Sequence, residues 1–375
     1  MTIKLKELIP VLTLNYLAGI NTYIAGKPAI GKTSLIVEFT EQMQKKIPTF
    51  RSWLFYAPTM SPMDIQASAP NYETHLLEMF NNQALPNAYN PADADAVGVV
   101  FFGELPNADP SVVKLLQKYI NGEDMSGSLR KPKGVMVIAD GNRLEDKSGV
   151  QQQGRAFLSR FEQHEAYTDA TDNMEFASKH AWHPHVQLFF KEHVALIDNY
   201  DDVFETSASA ARRSAQVQQN NGRDQTSEEG KRGIWANMRS WDRISRKEYV
   251  ADKLKTKLTL AEITGNVGSG VGTAYDTFKG QLNALVSFAD IMANPTTVDI
   301  PDALDERYQL CMIVALRCTE QQLDQVKAFG ERFPLELQVA ILRNIAKRRG
   351  FNLAGTPAYA KWIANTELTA LLAGR

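Results

Sequence analysis

The chain has 375 residues, 44% of them hydrophobic and 22% charged, the make-up of an ordinary globular protein with two or three domains. Lys plus Arg total 41 and Asp plus Glu 43, a formal net charge of -2, which excludes a wholesale nucleic-acid coat but not a local basic patch. No apolar run reaches the roughly 18 residues of a membrane helix, Met1 to Lys6 lacks the features of a secretion signal, and the only cysteines are Cys311 and Cys318, so a cytoplasmic setting with both thiols packed in a core is expected.

In chain order, Ile20 to Ala25 reads as a strand ending in a glycine loop. A helix follows from Lys32 to Lys45, with Leu35, Ile36, Phe39 and Met43 on one face. Phe50 to Tyr56 is a second strand. Val97 to Phe102 is a continuous apolar run, which marks a strand buried on both faces. Asp109-Pro110 opens a helix, with Asp as cap and Pro at the first helical position. Val135 to Ala139 is another buried strand. Strands alternating with helices predict a parallel sheet covered on both sides. After about residue 175 the pattern turns helical. Glu205 to Gly233 is polar and poor in large apolar residues, and reads as a long mobile loop. Helical periodicity resumes at about residue 285, through Tyr308 to Arg317 and Leu335 to Lys347.

Gly26-Lys27-Pro28-Ala29-Ile30-Gly31-Lys32-Thr33 fits the pattern G-x-x-x-x-G-K-[ST], with Ser34 next. Such a loop turns backbone N–H groups inward around phosphates, and the following helix adds its N-terminal dipole. Lys32 can then reach the β- and γ-phosphates of ATP, and the Thr33 hydroxyl can ligate Mg²⁺. Phe101-Phe102-Gly103-Glu104 ends a buried run. In such nucleoside triphosphatases this strand delivers an Asp for the Mg²⁺ shell and a Glu that polarises water. Here Gly103 stands at the Asp position and Glu104 remains as the candidate general base; Asp140 is a carboxylate that could help. Asn142, in Asp140-Gly141-Asn142-Arg143, can bond the γ-phosphate or remain a turn asparagine. Arg160, in Ser159-Arg160-Phe161, and Arg239, in Met238-Arg239-Ser240-Trp241, are candidate cations for the phosphates, or surface ion pairs.

Together and in this order, these segments resemble an AAA+ ATPase of the MoxR-like branch. The resemblance rests on Gly26 to Ser34, Glu104-Leu105-Pro106-Asn107-Ala108 leading into Val112 to Ile120, Ala139 to Arg143, and Phe157 to Phe161. Further parts are His183-Pro184-His185-Val186, Arg239 to Ser245 and Gly265-Asn266-Val267-Gly268. It implies an α/β AAA+ P-loop core over 1–175, a helical lid over 176–285 and a helical C-terminal extension over 286–375. It makes Lys32 and Thr33 the Walker A pair, Glu104 the Walker B glutamate, Asn142 sensor 1, Arg160 the arginine finger and Arg239 sensor 2. The departures are Gly103 for the Walker B Asp and Ala29 for a common loop glycine. The family further implies a ring, usually a hexamer, with ATP and Mg²⁺ between subunits, and a partner carrying a von Willebrand factor A domain. Its members remodel client proteins and occur in bacteria and tailed bacteriophages. A nucleic-acid motor on the same core, or a weakly hydrolysing scaffold, are the alternatives.

Three other features bear on function. His180, His183, His185 and His193 lack a cysteine or acidic partner at metal-site spacing, and Pro184 points to a helix start instead. Arg130-Lys131-Pro132-Lys133 is either a solvated loop or, by the resemblance, part of a pore-facing hairpin. Asn71 to Pro86 lies where the branch inserts a hairpin, with Leu76, Leu77, Met79 and Phe80 as its contact surface or its packing.

Overall fold

The computed structural model describes residues 2–81, 84–143, 155–203, 234–284, 286–346, 348 and 351–373. The polar segment 205–233 lies outside them. The chain divides into two compact units, the first running through Asp169 and the second starting at Ala170.

The first unit is α/β, as expected. Six strands form one sheet: β1 (Thr2–Lys4), β2 (Thr22–Gly26), β3 (Arg51–Tyr56), β6 (Gly98–Gly103), β7 (Val135–Gly141) and β8 (Glu162–Tyr167), in the order β1-β8-β2-β7-β6-β3. All five pairings are parallel. Two further strands, β4 (Gln66–Asn71) and β5 (Leu76–Asn81), form a separate antiparallel hairpin.

The apolar runs have a direct cause. Along β6 and β7, Val99, Phe101, Met136 and Ile138 face one core, together with Leu35, Ile36 and Phe39 of helix α2 (Lys32–Gln44) and Leu8 and Leu12 of helix α1 (Leu8–Ala18). Val100, Phe102, Val135, Val137 and Ala139 face a second core, built with Val112, Leu116 and Ile120 of helix α3 (Pro110–Asn121). Successive strand residues point to opposite faces. With helices on both sides, neither face can be polar. Asp109 caps α3 by accepting from the Ser111 amide, with Pro110 at its first position.

Two strands run against the sequence reading. β8 is Glu-Gln-His-Glu-Ala-Tyr, and only Ala166 is fully buried. It is held by pairing with β2 and β1 on its two edges rather than by an apolar face. β1 is three residues long and carries no period to detect.

The second unit is helical, with principal helices Pro184–Glu192, Met238–Leu254, Leu260–Val267, Ser269–Ala284, Leu304–Arg317 and Leu335–Ala346. One continuous core runs from Ala177 through Trp241 and Phe278 to Trp362 and Leu368. Cys311 and Cys318 are free and buried in it; burial pushes the Cys311 thiol up to about 12 and the Cys318 thiol up to about 11. Among the described residues no helix is long and apolar enough to cross a membrane.

Candidate nucleotide site

The site lies at the C-terminal ends of β2, β6 and β7, the edge where parallel α/β sheets bind ligands. Gly26 ends β2, and α2 starts at Lys32. Between them the chain turns through Ala29 at φ 63° and Gly31 at φ 100°. Gly31 suits this conformation. Ala29 does not, since a Cβ in the left-handed region costs roughly 1–2 kcal/mol. The departure from a loop glycine therefore shows as local strain. Gly26 is fixed by contact: a Cβ there would lie 2.8 Å from the Ala166 carbonyl oxygen. Thr33 and Ser34 are exposed on the first turn of α2.

Lys32 is only 8% exposed. Its Nζ donates to the carbonyls of Gly26 (2.8 Å) and Lys27 (3.0 Å) and reaches Asn142 Oδ1 at 3.4 Å. The loop and the end of β7 are thus in direct contact. Lys27, Pro28 and Ile30 complete the turn, with Ile30 buried against the α1–α2 side of the sheet.

Glu104 follows β6 in the left-handed region, at φ 53° and ψ 38°. Non-glycine residues hold such conformations where the surroundings enforce them, often at functional sites. The enforcement is visible here. The Glu104 amide donates to Asp140 Oδ1 at 2.7 Å. Its Oε2 accepts from the Tyr56 hydroxyl (3.0 Å) and from Asn107 Nδ2 (3.2 Å). Tyr56 is reached because it ends β3 in register with Gly103. Asn107 is reached because the chain makes a 3₁₀ turn over Leu105–Asn107. Asp140 is 3% exposed. Burial raises its pKa, the Lys32 charge and the Glu104 amide pull it back, and the Glu104 charge adds to the rise.

The structure therefore brings Lys32, Glu104, Asp140 and Asn142 together. The donor set fits a nucleoside triphosphate with a divalent cation: a helix N-terminus, an ammonium, a Thr hydroxyl and a buried carboxylate. Arg143 lies 3.9 Å from Glu165 across the sheet edge. Arg160 follows the short helix Arg155–Leu158. It donates through Nη1 to the Ala156 carbonyl, while its buried Nε has no hydrogen-bond partner among the described residues. Arg239 is exposed in the first turn of Met238–Leu254 in the second unit. Sequence reasoning missed the parts of Tyr56 and Asn107 in holding Glu104; the i+3 spacing of Asn107 was the only available signal.

No model of a known protein family matches the chain, and no curated protein matches it. Among solved structures it is similar to a putative ATPase from Cytophaga hutchinsonii at 12% identity, over 99% of this chain and 90% of that one, with a TM-score of 0.30. It is also similar to a point mutant of RuvB from Thermotoga maritima at 14% identity, over 78% of this chain and 75% of that one, with a TM-score of 0.37. A third likeness is to Hsp104 in a closed state with ATPγS and FITC casein, at 14% identity over 43% of this chain and 31% of that one, with a TM-score of 0.31.

The remaining candidates resolve on contacts. His183 caps the helix Pro184–Glu192, as Pro184 implied, by accepting from the His185 amide. Glu248, distant in sequence, joins the two histidines, with candidate ligand atoms within 4.8 Å of one another. Yet Glu248 is already paired with the Lys279 ammonium at 2.7 Å and accepts from the Tyr275 hydroxyl at 3.2 Å. Burial first, then the charges of His183, Arg317 and Lys279, push His185 down to about 3. With its carboxylate already compensated by Lys279, Glu248 and the two histidines form a polar cluster within the core. In the basic tetrad, Arg130 Nε donates to the Gly122 carbonyl and Lys131 Nζ to the Val135 carbonyl, at 3.0 and 2.5 Å. Lys131 is largely buried, which lowers its pKa. Lys131 is thus folded onto the backbone, whereas Arg130 remains exposed to solvent. The β4–β5 hairpin is anchored at its base, where Gln66 and Asn81 bond Ser128. Leu76, Leu77 and Phe80 on it are 67%, 69% and 53% exposed.

Proposed function

We propose that the chain is an ATPase of AAA+ type, of the MoxR-like branch, working in the cytoplasm as a ring, most simply a hexamer. The carrying observation is the convergence of Lys32, Glu104 and Asn142 at adjacent strand ends, with Lys32 within 3.4 Å of Asn142. In this reading Gly26 to Ser34 cradle the phosphates of ATP, Thr33 ligates Mg²⁺, and Asn142 orients the terminal phosphate. Glu104 takes the proton of the attacking water. Its carboxylate is held by Tyr56 and Asn107 through one oxygen, so the other has a fixed direction. Bound Mg²⁺ would neutralise charge on the β- and γ-phosphates.

Arg160 serves as the finger toward a neighbouring subunit's phosphate, by its place in Ser159-Arg160-Phe161. Arg239 serves as the second-unit sensor. The apolar β4–β5 hairpin is the surface offered to a client protein, and exposed contiguous apolar residues favour that use. Remodelling of a client alongside a von Willebrand factor A domain partner follows from the family resemblance. The near-neutral charge supports a protein client over nucleic acid.

Lys32→Ala tests the reading. Loss of the ammonium should abolish ATP binding measured by calorimetry. Binding as tight as wild type would overturn the phosphate site.

A further inference from the structure

Resting on that reading, we propose that Asp140 is the carboxylate that holds the divalent cation of the nucleotide, supplying from β7 what Gly103 cannot supply from β6.

The geometry is specific. Phe102 pairs with Ala139 in the parallel register, so the next residues, Gly103 and Asp140, end neighbouring strands side by side. A Cβ placed on Gly103 would lie 3.8 Å from Asp140 Oδ1, with only Phe101 Cε1 (3.3 Å) and the Phe55 carbonyl oxygen (3.6 Å) nearer. The Asp140 carboxylate thus sits against the place from which any side chain on Gly103 would start. Gly103 does not have a positive φ, so no backbone requirement accounts for the glycine. What the glycine does is leave the space beside Asp140 open.

The chemistry agrees. Asp140 is almost fully buried, and among the described residues the Lys32 ammonium is the positive charge that acts on it. A carboxylate whose work was only to accept the Glu104 amide could be an asparagine without the cost of burying a charge. Oδ1 is committed to that amide, and a carboxylate has a second oxygen to offer a hard cation. The same contact ties the cation site to Glu104, whose backbone Asp140 fixes.

The test separates charge from hydrogen bonding. Asp140→Asn keeps an acceptor for the Glu104 amide and removes the charge. Binding of a non-hydrolysable ATP analogue is measured by calorimetry in EDTA and in Mg²⁺, and Mn²⁺ affinity of the protein–nucleotide complex by electron paramagnetic resonance. In EDTA the variant should bind as tightly as wild type or more tightly, because a negative group near the phosphates is gone. The gain in affinity brought by Mg²⁺, and the Mn²⁺ affinity, should each fall at least about tenfold. Gly103→Asp combined with Asp140→Asn should recover most of both. An Asp140→Asn protein with the wild-type Mg²⁺ gain overturns the assignment. So does equal weakening with and without metal, the signature of a merely structural role. So does a double variant that binds in EDTA yet regains nothing. Wild type that binds no nucleotide in EDTA or in Mg²⁺ would instead bring down the phosphate site itself.

Discussion

Two clusters of buried charge, one in each unit, are built on opposite plans. In the helical unit Glu248 and Lys279 pair at 2.7 Å with side chains 4% and 7% exposed, and Tyr275 and the helix-capping His183 close the surroundings. Each charge there has its partner inside the fold. In the α/β unit, Asp140 carries a pKa raised by burial, and two neighbouring stretches hold non-glycine residues in the left-handed region, Ala29 and Glu104. A closed ion pair costs little to keep once formed and is expensive to break. A strained, incompletely compensated cluster is costly to keep, and proteins retain such arrangements where they act. The contrast favours the α/β cluster as the candidate for chemistry, among groups that sequence alone would rank alike.

Substitutions can break that contrast. The largest effect is expected in the α/β cluster. Glu104→Gln keeps the size of the side chain and an acceptor for Tyr56 but removes the base. Single-turnover phosphate release should slow by about 10²–10⁴-fold, with ATP binding within a few-fold of wild type. Full activity would place the base elsewhere and erase the distinction between the clusters. In the helical unit, Lys279→Met strands the buried Glu248 carboxylate. Chemical denaturation of the full chain should show a loss of about 3–5 kcal/mol, partly recovered by adding Glu248→Gln. A loss under about 1 kcal/mol would mean the pair is not closed. The smallest effect is at Ala29. Removing its Cβ relieves the left-handed strain, while glycine gains freedom in the unfolded chain, so Ala29→Gly should stabilise by up to ~1 kcal/mol. A fall in melting temperature would show that the loop is not strained there.

The turn over 26–33 and its flanking elements were legible because each carries a local signal: glycines at fixed offsets, an amphipathic helix, apolar runs. The strands at 22–26, 51–56, 98–103 and 135–141 lie within two residues of their expected bounds. β8 was not legible, because a strand held by backbone pairing on both edges needs no apolar period. In the candidate site, Lys32, Glu104 and Asn142 are singled out by spacing, and the structure brings them to one edge of the sheet. Tyr56 was not, since its approach to Glu104 depends on the β3–β6 register, which no local pattern encodes. The Glu248–Lys279 pair was hidden for a similar reason: its members lie on separate helices, and nothing in either helix announces the other.

The parallel register of β6 and β7 also bears on how such a site can change over generations. Adjacent strands lie about 4.8 Å apart, and a Cβ on Gly103 would start 3.8 Å from Asp140 Oδ1, so side chains from the two positions can converge on one point. If Asp140 holds the cation as proposed, a carboxylate can be exchanged between the Gly103 and Asp140 positions without moving the backbone. The exchange takes two substitutions, and their order matters. A form with acids at both positions suffers like-charge repulsion but still holds a cation, whereas a form with neither loses it. The passable route is gain before loss, so the acid at a strand end belongs to a place in space before it belongs to a place in the chain.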